Sequence, residues 1–301
     1  MQTWLVTGAH GFLGRNAGAF LRTRVHALGQ VRSPATSSLY EQLLPGDLRD
    51  TEATGALIRS TAPDVVLHAA AISGHEQADA DRDQAEAVNV HATAEIARAC
   101  ADIGARLVYI STDSVFSGST GNYSEGDEPE PFSWYGESKL LGEAHARNLV
   151  ADHLIVRTNF FGWSETGRKS VLEFFVNSLR AQQHVRGYPD FVVTSIYAQQ
   201  LIDAIWRLSE LGATGTFHVA SSDALSKYEF GMSVAEQFGL DSSLIAREGP
   251  PADAHTTSRA RNLSLNTSKA AAVLGSPLAT QAEGIRQAGS DEPVLAPLIR
   301  A

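Results

Sequence analysis

The stretch Thr7-Gly8-Ala9-His10-Gly11-Phe12-Leu13-Gly14, set directly behind the apolar run Thr3 to Val6, constrains this chain more than any other part of it. A buried strand that ends in a glycine-rich turn and opens a helix has few uses. Glycines at 8, 11 and 14 supply a tight turn, close backbone approach to a pyrophosphate, and close packing of helix on strand. Phosphates then sit on the unpaired N–H groups of the helix start. The motif therefore reads as a dinucleotide cradle, with Gly8, His10, Gly11, Phe12, Leu13 and Gly14 at the cofactor. Its glycines are spaced three-and-three rather than the commoner two-and-three.

The second strand, Val25 to Val31, decides which dinucleotide fits. An acid at its end would bond the free ribose 2′-hydroxyl of NAD, whereas an arginine pairs with the 2′-phosphate of NADP. The strand ends Gln30-Val31-Arg32-Ser33, without an acid. The expectation is NADPH, with Arg32 and Arg15 as phosphate partners and NADH left open. Gly46-Asp47-Leu48 follows in a turn where Asp47 can accept from an adenine amino group. The next apolar strand, Asp64 to His68, runs into Ala69, Ala70 and Ala71, small residues that let a ligand approach the backbone. A long helix is expected over Glu76 to Asp102, then a fifth strand from Ala105 to Ile110 ending in Ser111-Thr112-Asp113.

Alternating strands and helices specify an α/β fold, a Rossmann-type doubly wound parallel sheet, because parallel neighbours need crossover helices. Residues 1–160 read as the dinucleotide-binding domain. Residues 161–301 read as a smaller substrate-binding lobe interleaved with it. The strand ends gather along one sheet edge, which brings the glycine turn, the alanines, Ser111 and Thr112 together.

Tyr135 and Lys139 lie four residues apart and share a face at helical pitch. A lysine charge beside a phenol favours the phenolate and lowers a pKa that is otherwise about 10. An isolated Tyr-x-x-x-Lys is more often a solvated helix face, and a threonine behind a strand is more often a cap. Thr112 gains weight only beside this pair, as a hydroxyl donor to a substrate carbonyl on its way to an alkoxide.

The formal charge of −10 gives no general electrostatic reason to bind nucleic acid or an anionic membrane. No apolar run reaches the roughly 20 residues that span a bilayer. Because the sequence opens on a strand and carries one cysteine, Cys100, the expected compartment is the cytoplasm. The ten histidines are dispersed and form no paired metal-ligand motif.

Thr7 to Gly14, Asp47, Ser111-Thr112, Tyr135 and Lys139 together resemble an extended short-chain dehydrogenase/reductase. The runs Tyr109 to Gly118, Tyr135 to Glu143, Val156-Arg157-Thr158, Gly215 to Val219 and Arg261 to Thr267 resemble its dTDP-4-dehydrorhamnose reductase branch. The resemblance implies reduction of a carbonyl on a nucleotide-linked 4-keto-6-deoxyhexose. Tyr135 would protonate the oxygen, Lys139 would bind the nicotinamide ribose and keep the phenol's pKa low, and Thr112 would hold the oxygen. Ser111, Thr112, Asn159, Phe160 and Arg259 are the expected substrate contacts. Ser114 stands where the branch carries tyrosine, and Asn159-Phe160-Phe161 where it has a tryptophan near the sugar. Related sugar 4,6-dehydratases read threonine, aspartate, glutamate, and Ser114 replaces that glutamate here. Two alternatives stay open: a sugar-nucleotide epimerase using the same pair, and a non-catalytic NADP-binding module like the regulatory subunit of methionine adenosyltransferase. A homodimer is left open as well.

Gly118 to Ser133, rich in Gly, Ser, Pro and acid, reads as a mobile surface loop, either a connector or a flap over the sugar. Further on, Lys169 to Gln183, Ala198 to Leu211 and Lys227 to Phe238 read as helices. Arg168, Lys169, Arg180, Arg186, Arg259 and Arg261 are the candidate cations for a diphosphate, with Arg259 and Arg261 preferred. From Gly275 onward the sequence gives no readable element.

Overall fold

The computed structural model describes residues 1–249 and 261–301. Seven parallel strands form one sheet. In chain order the first six are β1 (Thr3–Thr7), β2 (His26–Val31), β3 (Gln42–Pro45), β4 (Val65–His68), β5 (Arg106–Ile110) and β6 (His153–Arg157). The seventh, Gly215–His218, pairs in parallel with the outer edge of β6. Across the sheet the order is Gly215–His218, β6, β5, β4, β1, β2, β3. The chain winds outward from β1 in both directions, so a crevice opens at the carboxyl ends of β1 and β4, where such sheets bind ligands.

The strands are near-continuous apolar runs because both faces are covered. Trp4, Val6, Val65, Leu67, Val108 and Ile110 point to one face, beneath α1 (Phe12–Leu21). Leu5, Val66, Leu107 and Tyr109 point to the other, beneath α2 (Thr51–Thr61), α5 (Ala92–Ile103) and α6 (Trp134–Leu149), while α3 (His75–Ala80) and α4 (Arg82–Glu86) pack on α6. The second half of the chain adds α7 (Val171–Arg180), α8 (Ala198–Glu210), α9 (Lys227–Phe238), α10 (Ser268–Leu274) and α11 (Gln281–Arg300). Of these, α8 and α10 pack on the first core, while α7, α9 and α11 enclose a second one around Phe161, Trp163, Phe175 and Phe230.

Three elements differ from the sequence expectations. The single helix expected over residues 76–102 is broken into α3, α4, a π-helical turn at Ala87–His91, and α5. Asp81, at φ −136° and ψ 77°, leaves the helical region, and its carboxylate caps α4 by accepting from Gln84 N. The 118–133 segment is pinned rather than loose. Tyr123 stacks on Phe116 with ring centroids 4.3 Å apart, and its backbone bonds Ser264 and Asn266. Beyond Gly275 lies the long helix α11, started by a capping box between Thr280 and Glu283 despite internal Pro293 and Pro297. Among the described residues no helix is long and apolar enough to cross a membrane.

Candidate active site

The glycine turn works by contact. Gly8 has φ +67°, and a Cβ there would lie 2.9 Å from Ala70 Cα. A Cβ on Gly14 would lie 2.2 Å from the Gly8 carbonyl oxygen, so only glycine lets α1 sit this close to β1. Gly11 N donates to Gly8 O at 2.8 Å, which closes the turn. Above it lies a cavity of about 630 Å³, lined by Gly8, residues 10–14, Arg32, Asp47, Leu48, residues 69–71, Tyr135 and Lys139. Apart from Arg15, the positions expected at a cofactor therefore share one cavity. Arg15 is the exception among the arginines, since it donates to the Ile299 carbonyl at 2.7 Å and braces α11 instead.

Beside the turn after β3, Asp47 is held by Arg49, Nη2 to Oδ2 at 2.6 Å, which pulls its carboxyl down to about 2. Arg49 lines the cavity and was not expected from sequence. Gln30 ties the neighbouring turns together, accepting from Gly8 N and donating to Gly46 O.

A one-directional chain of hydrogen bonds braces the switch point. Thr93 donates to the Asn89 carbonyl at 2.8 Å, so its oxygen accepts from His68 Nε2 at 2.9 Å. His68 Nδ1 is then an acceptor for the Thr7 hydroxyl at 2.7 Å, and that hydroxyl accepts from Ala70 N at 3.2 Å. The bonding fixes one neutral tautomer. Burial, reinforced by the Lys139 charge, drives His68 down to about 3.

Ser133 caps α6, which places Tyr135 in its first turn and Lys139 one turn on. Gly136 and Gly142 bring this helix hard against its neighbours: a Cβ would lie 2.1 Å from Ser114 O at the first and 2.1 Å from the Tyr109 hydroxyl at the second. The Lys139 ammonium sits 4.1 Å from the Tyr109 ring centroid. Burial brings Lys139 down to about 7, against the pull of Glu143. Desolvation also pushes the half-buried Tyr135 up to about 12, against the nearby Thr112 hydroxyl and with Asp113 adding to the rise. This corrects the expectation that Lys139 lowers the phenol. Desolvation sets the shift and Lys139 is not among its causes, so Tyr135 is held as a protonated acid.

Ser111 and Thr112 have partners already. Ser111 donates to Glu143 at 2.6 Å, and Arg157 clamps the same buried carboxylate with Nη2 at 2.7 Å and Nε at 2.9 Å. Thr112 accepts from Ser114 N at 3.1 Å, capping a 3-10 turn, and donates to Asp113 at 3.1 Å. Asn159 donates to the other Asp113 oxygen at 2.9 Å and accepts from Ser195. Asn159 and Ser195 line a second cavity, of about 200 Å³, with Phe191, Lys227 and Phe230. Of the expected substrate contacts, Ser111 and Phe160 face the larger cavity instead, and Arg259 lies outside the described residues. Lys169 also lines the larger cavity, while Arg180 pairs with Glu292 and Arg186 with Glu248.

A family model described as the RmlD substrate binding domain matches residues 1–292. The chain belongs to the RmlD family. Among RmlD-like relatives, it is 34% identical over 247 residues to the probable low-salt glycan biosynthesis reductase Agl14 of Haloferax volcanii, covering 80% of this chain and 81% of the relative. It is 32% identical over 250 residues to the methionine adenosyltransferase 2 subunit beta of Rattus norvegicus, covering 79% and 73%. A solved structure of a hypothetical dTDP-4-dehydrorhamnose reductase from Sulfolobus tokodaii superposes with a TM-score of 0.82 at 31% identity, covering 93% of this chain and 97% of that one.

Within this RmlD-family chain, sequence reasoning missed Arg49, Gln30, Asp113 and the Glu143–Arg157 pair. Glu143 had a signal, since it lies one further turn along the face of Tyr135 and Lys139. His75 had none. It sits edge-on to the Tyr135 ring with centroids 5.1 Å apart and bonds Ser133 at 2.9 Å.

Proposed function

We propose that this protein is an NADPH-dependent reductase of a nucleotide-linked 4-keto-6-deoxyhexose, most simply a dTDP sugar. One observation carries the reading: a half-buried, protonated Tyr135 and its buried partner Lys139 line the cavity that the glycine cradle builds. The cavity fits a dinucleotide. Its floor is turn backbone whose close packing an added Cβ at Gly8 or Gly14 would break, and His10 contributes a buried Nε2 that has no protein partner. Arg32 and Arg49 suit a 2′-phosphate, and no acid ends β2. The cofactor, when bound, supplies a hydride for the keto carbon.

The chain's own residues do the rest. Tyr135 gives its proton to the developing alkoxide, and its raised pKa keeps that proton in place until then. Thr112, whose hydroxyl donates to Asp113 in this structure, would turn to steady the same oxygen. Lys139 is poised near neutrality to hold ribose hydroxyls. The sugar nucleotide is assigned to the Asn159–Ser195 cavity beside Asp113.

The test follows NADPH absorbance with a nucleotide-linked 4-keto-6-deoxyhexose and then analyses the sugar. Stoichiometric oxidation with a reduced sugar is expected. A changed sugar without net oxidation would mean an epimerase, and tight NADPH binding without either would support a binding subunit. Tyr135→Phe should keep NADPH affinity and lose turnover by about 10²- to 10⁴-fold. Full turnover in that variant removes Tyr135 from the mechanism.

A further inference from the structure

The larger cavity carries a cation to which the proposed reaction gives no task. Lys169 lines it together with Thr158 and Phe160, and its ammonium pairs with the Glu165 carboxylate. We propose that the pair is an exchange device, in which Lys169 leaves Glu165 to bind a diphosphate in the cavity and Glu165 claims it when no diphosphate is bound. The inference deepens the reductase reading and rests on it for what enters the cavity.

The loop fixes the root of Lys169 and leaves its head to move. The fully buried Glu173 carboxylate accepts from Ser164 N at 2.8 Å, Ser164 Oγ at 2.5 Å, Lys169 N at 3.2 Å and Ser170 N at 3.3 Å. Asn177 donates to Gly167 O at 2.7 Å, and Gly167 takes the left-handed φ of +69° that lets so short a loop turn back. Ser170 then caps α7. The Lys169 side chain is 51% exposed. Its flexible four-carbon stem can swing while the backbone stays in place.

The position suits a diphosphate. Thr158 and Phe160 line the larger cavity while Asn159, between them, lines the smaller one; Lys169 lines the larger cavity while Val171 lines the smaller. The two cavities thus share a wall, and Lys169 stands on it. Phe160 also packs on Phe12 of the glycine motif, with ring centroids 5.3 Å apart. Two molecules of the proposed reaction bring a diphosphate here: the dinucleotide, through its pyrophosphate on the glycine turn, and the sugar nucleotide, whose diphosphate joins a nucleoside to the sugar at Tyr135. The other cations of the larger cavity are placed for different work. Arg32 and Arg49 lie about Asp47, and Lys139 is buried against the Tyr109 ring.

The pair is built to come apart. Glu165 holds Lys169 through Oε1 alone, and its Oε2 is buried with no hydrogen-bond partner among the described residues. Exposed ion pairs are weak. A diphosphate diester carries two charges where Glu165 carries one, and it offers several oxygens to the three ammonium donors. Glu165, 19% exposed, can take water in place of Lys169.

Equilibrium titrations of the full chain read the exchange without turnover. NADPH is the first probe, and dTDP in the presence of NADPH the second. Wild type, Lys169→Ala, Glu165→Gln and the double variant are compared after melting each without ligand, where all should fall within a few degrees of one another. Lys169→Ala should weaken at least one probe by about fivefold or more and make its binding less sensitive to salt. Loss confined to NADPH assigns the arm to the cofactor, and loss confined to dTDP assigns it to the substrate. Glu165→Gln should tighten the same probe by about twofold or more, and the gain should vanish in the double variant. The exchange is overturned if Lys169→Ala binds every probe that wild type binds with unchanged affinity, or if Glu165→Gln tightens none. Wild-type protein that binds neither probe would overturn the reductase reading itself, and the exchange with it.

Discussion

Gly14→Ala sets two effects of known size against each other. Alanine inside a helix is favoured over glycine by roughly 0.8–1 kcal/mol, so on propensity alone the variant should be more stable. The geometry opposes it. The new methyl would sit 2.2 Å from Gly8 O, 2.8 Å from Ala9 Cα and 2.9 Å from Ala9 C, where ordinary contact begins at 3.4 Å. All three neighbours are backbone atoms of the turn, so no side chain can rotate away. The helix α1 must retreat from β1 by about an ångström or the turn must open, and overpacking of this kind costs roughly 1–3 kcal/mol, toward the upper end against rigid backbone. The net expectation is a loss of about 1–2 kcal/mol, with Tm lower by several degrees. The movement also spoils the phosphate cradle, so NADPH affinity should fall by at least about tenfold, equivalent to about 1.4 kcal/mol. Gly11→Ala is the control, because its Cβ would be 3.1 Å from a single atom, Gly8 O. Calorimetric melting and a fluorescence titration with NADPH read both effects. A Gly14→Ala protein that melts at or above the wild-type temperature and binds NADPH unchanged would refute the steric account of the motif.

Arg157→Ala should destabilise by about 3–5 kcal/mol, because it strips two hydrogen bonds from the fully buried Glu143 carboxylate. Denaturant midpoints check this, and a loss no larger than that of an exposed ion pair such as Arg49→Ala would contradict it. Stability should also fall as pH drops from about 6.5 toward 3. In that window the unfolded chain protonates His68 and His218 while the fold holds both neutral, down to about 3. Asp113, raised to about 6, works the opposite way between roughly pH 4 and 6 and offsets part of the effect. His68→Gln should flatten the acid limb in pH-dependent melting, and an unchanged limb would exclude His68 as a cause.

What the sequence made legible was whatever depends on local chemistry. Glycines 8, 11 and 14 imply close backbone approach wherever they occur after a strand, and apolar runs at 3–6 and 65–68 imply buried parallel strands. Tyr135 and Lys139 were readable because helical pitch alone brings them together. The sense of their pKa shifts was not, since desolvation depends on what covers them. Arg15 and Arg32 look alike in sequence, yet only the fold tells which one a distant helix engages through Ile299. The break at Asp81 and the anchoring of Tyr123 by residues 264 and 266 were hidden for the same reason. The tail after Gly275 was unreadable in sequence, yet a Thr280–Glu283 capping box starts α11 there and tertiary packing sustains the helix through Pro293 and Pro297. His75 shows the limit most clearly. Nothing in its neighbours along the chain points to Tyr135, and the fold alone sets the two rings together.

The strand Gly215–His218 closes the sheet beside β6, although all the residues between Arg157 and Gly215 are made first. During synthesis, then, β6 waits with an open row of backbone donors and acceptors along Leu154, Ile155 and Val156, all of them destined for the interior. A bare, apolar edge is a template for pairing with another chain. The cradle is encoded early, but the sheet that carries it is not sealed until the ribosome has passed residue 218. Cutting the chain near residue 160 would thus deliver a sticky fragment rather than a free-standing nucleotide binder.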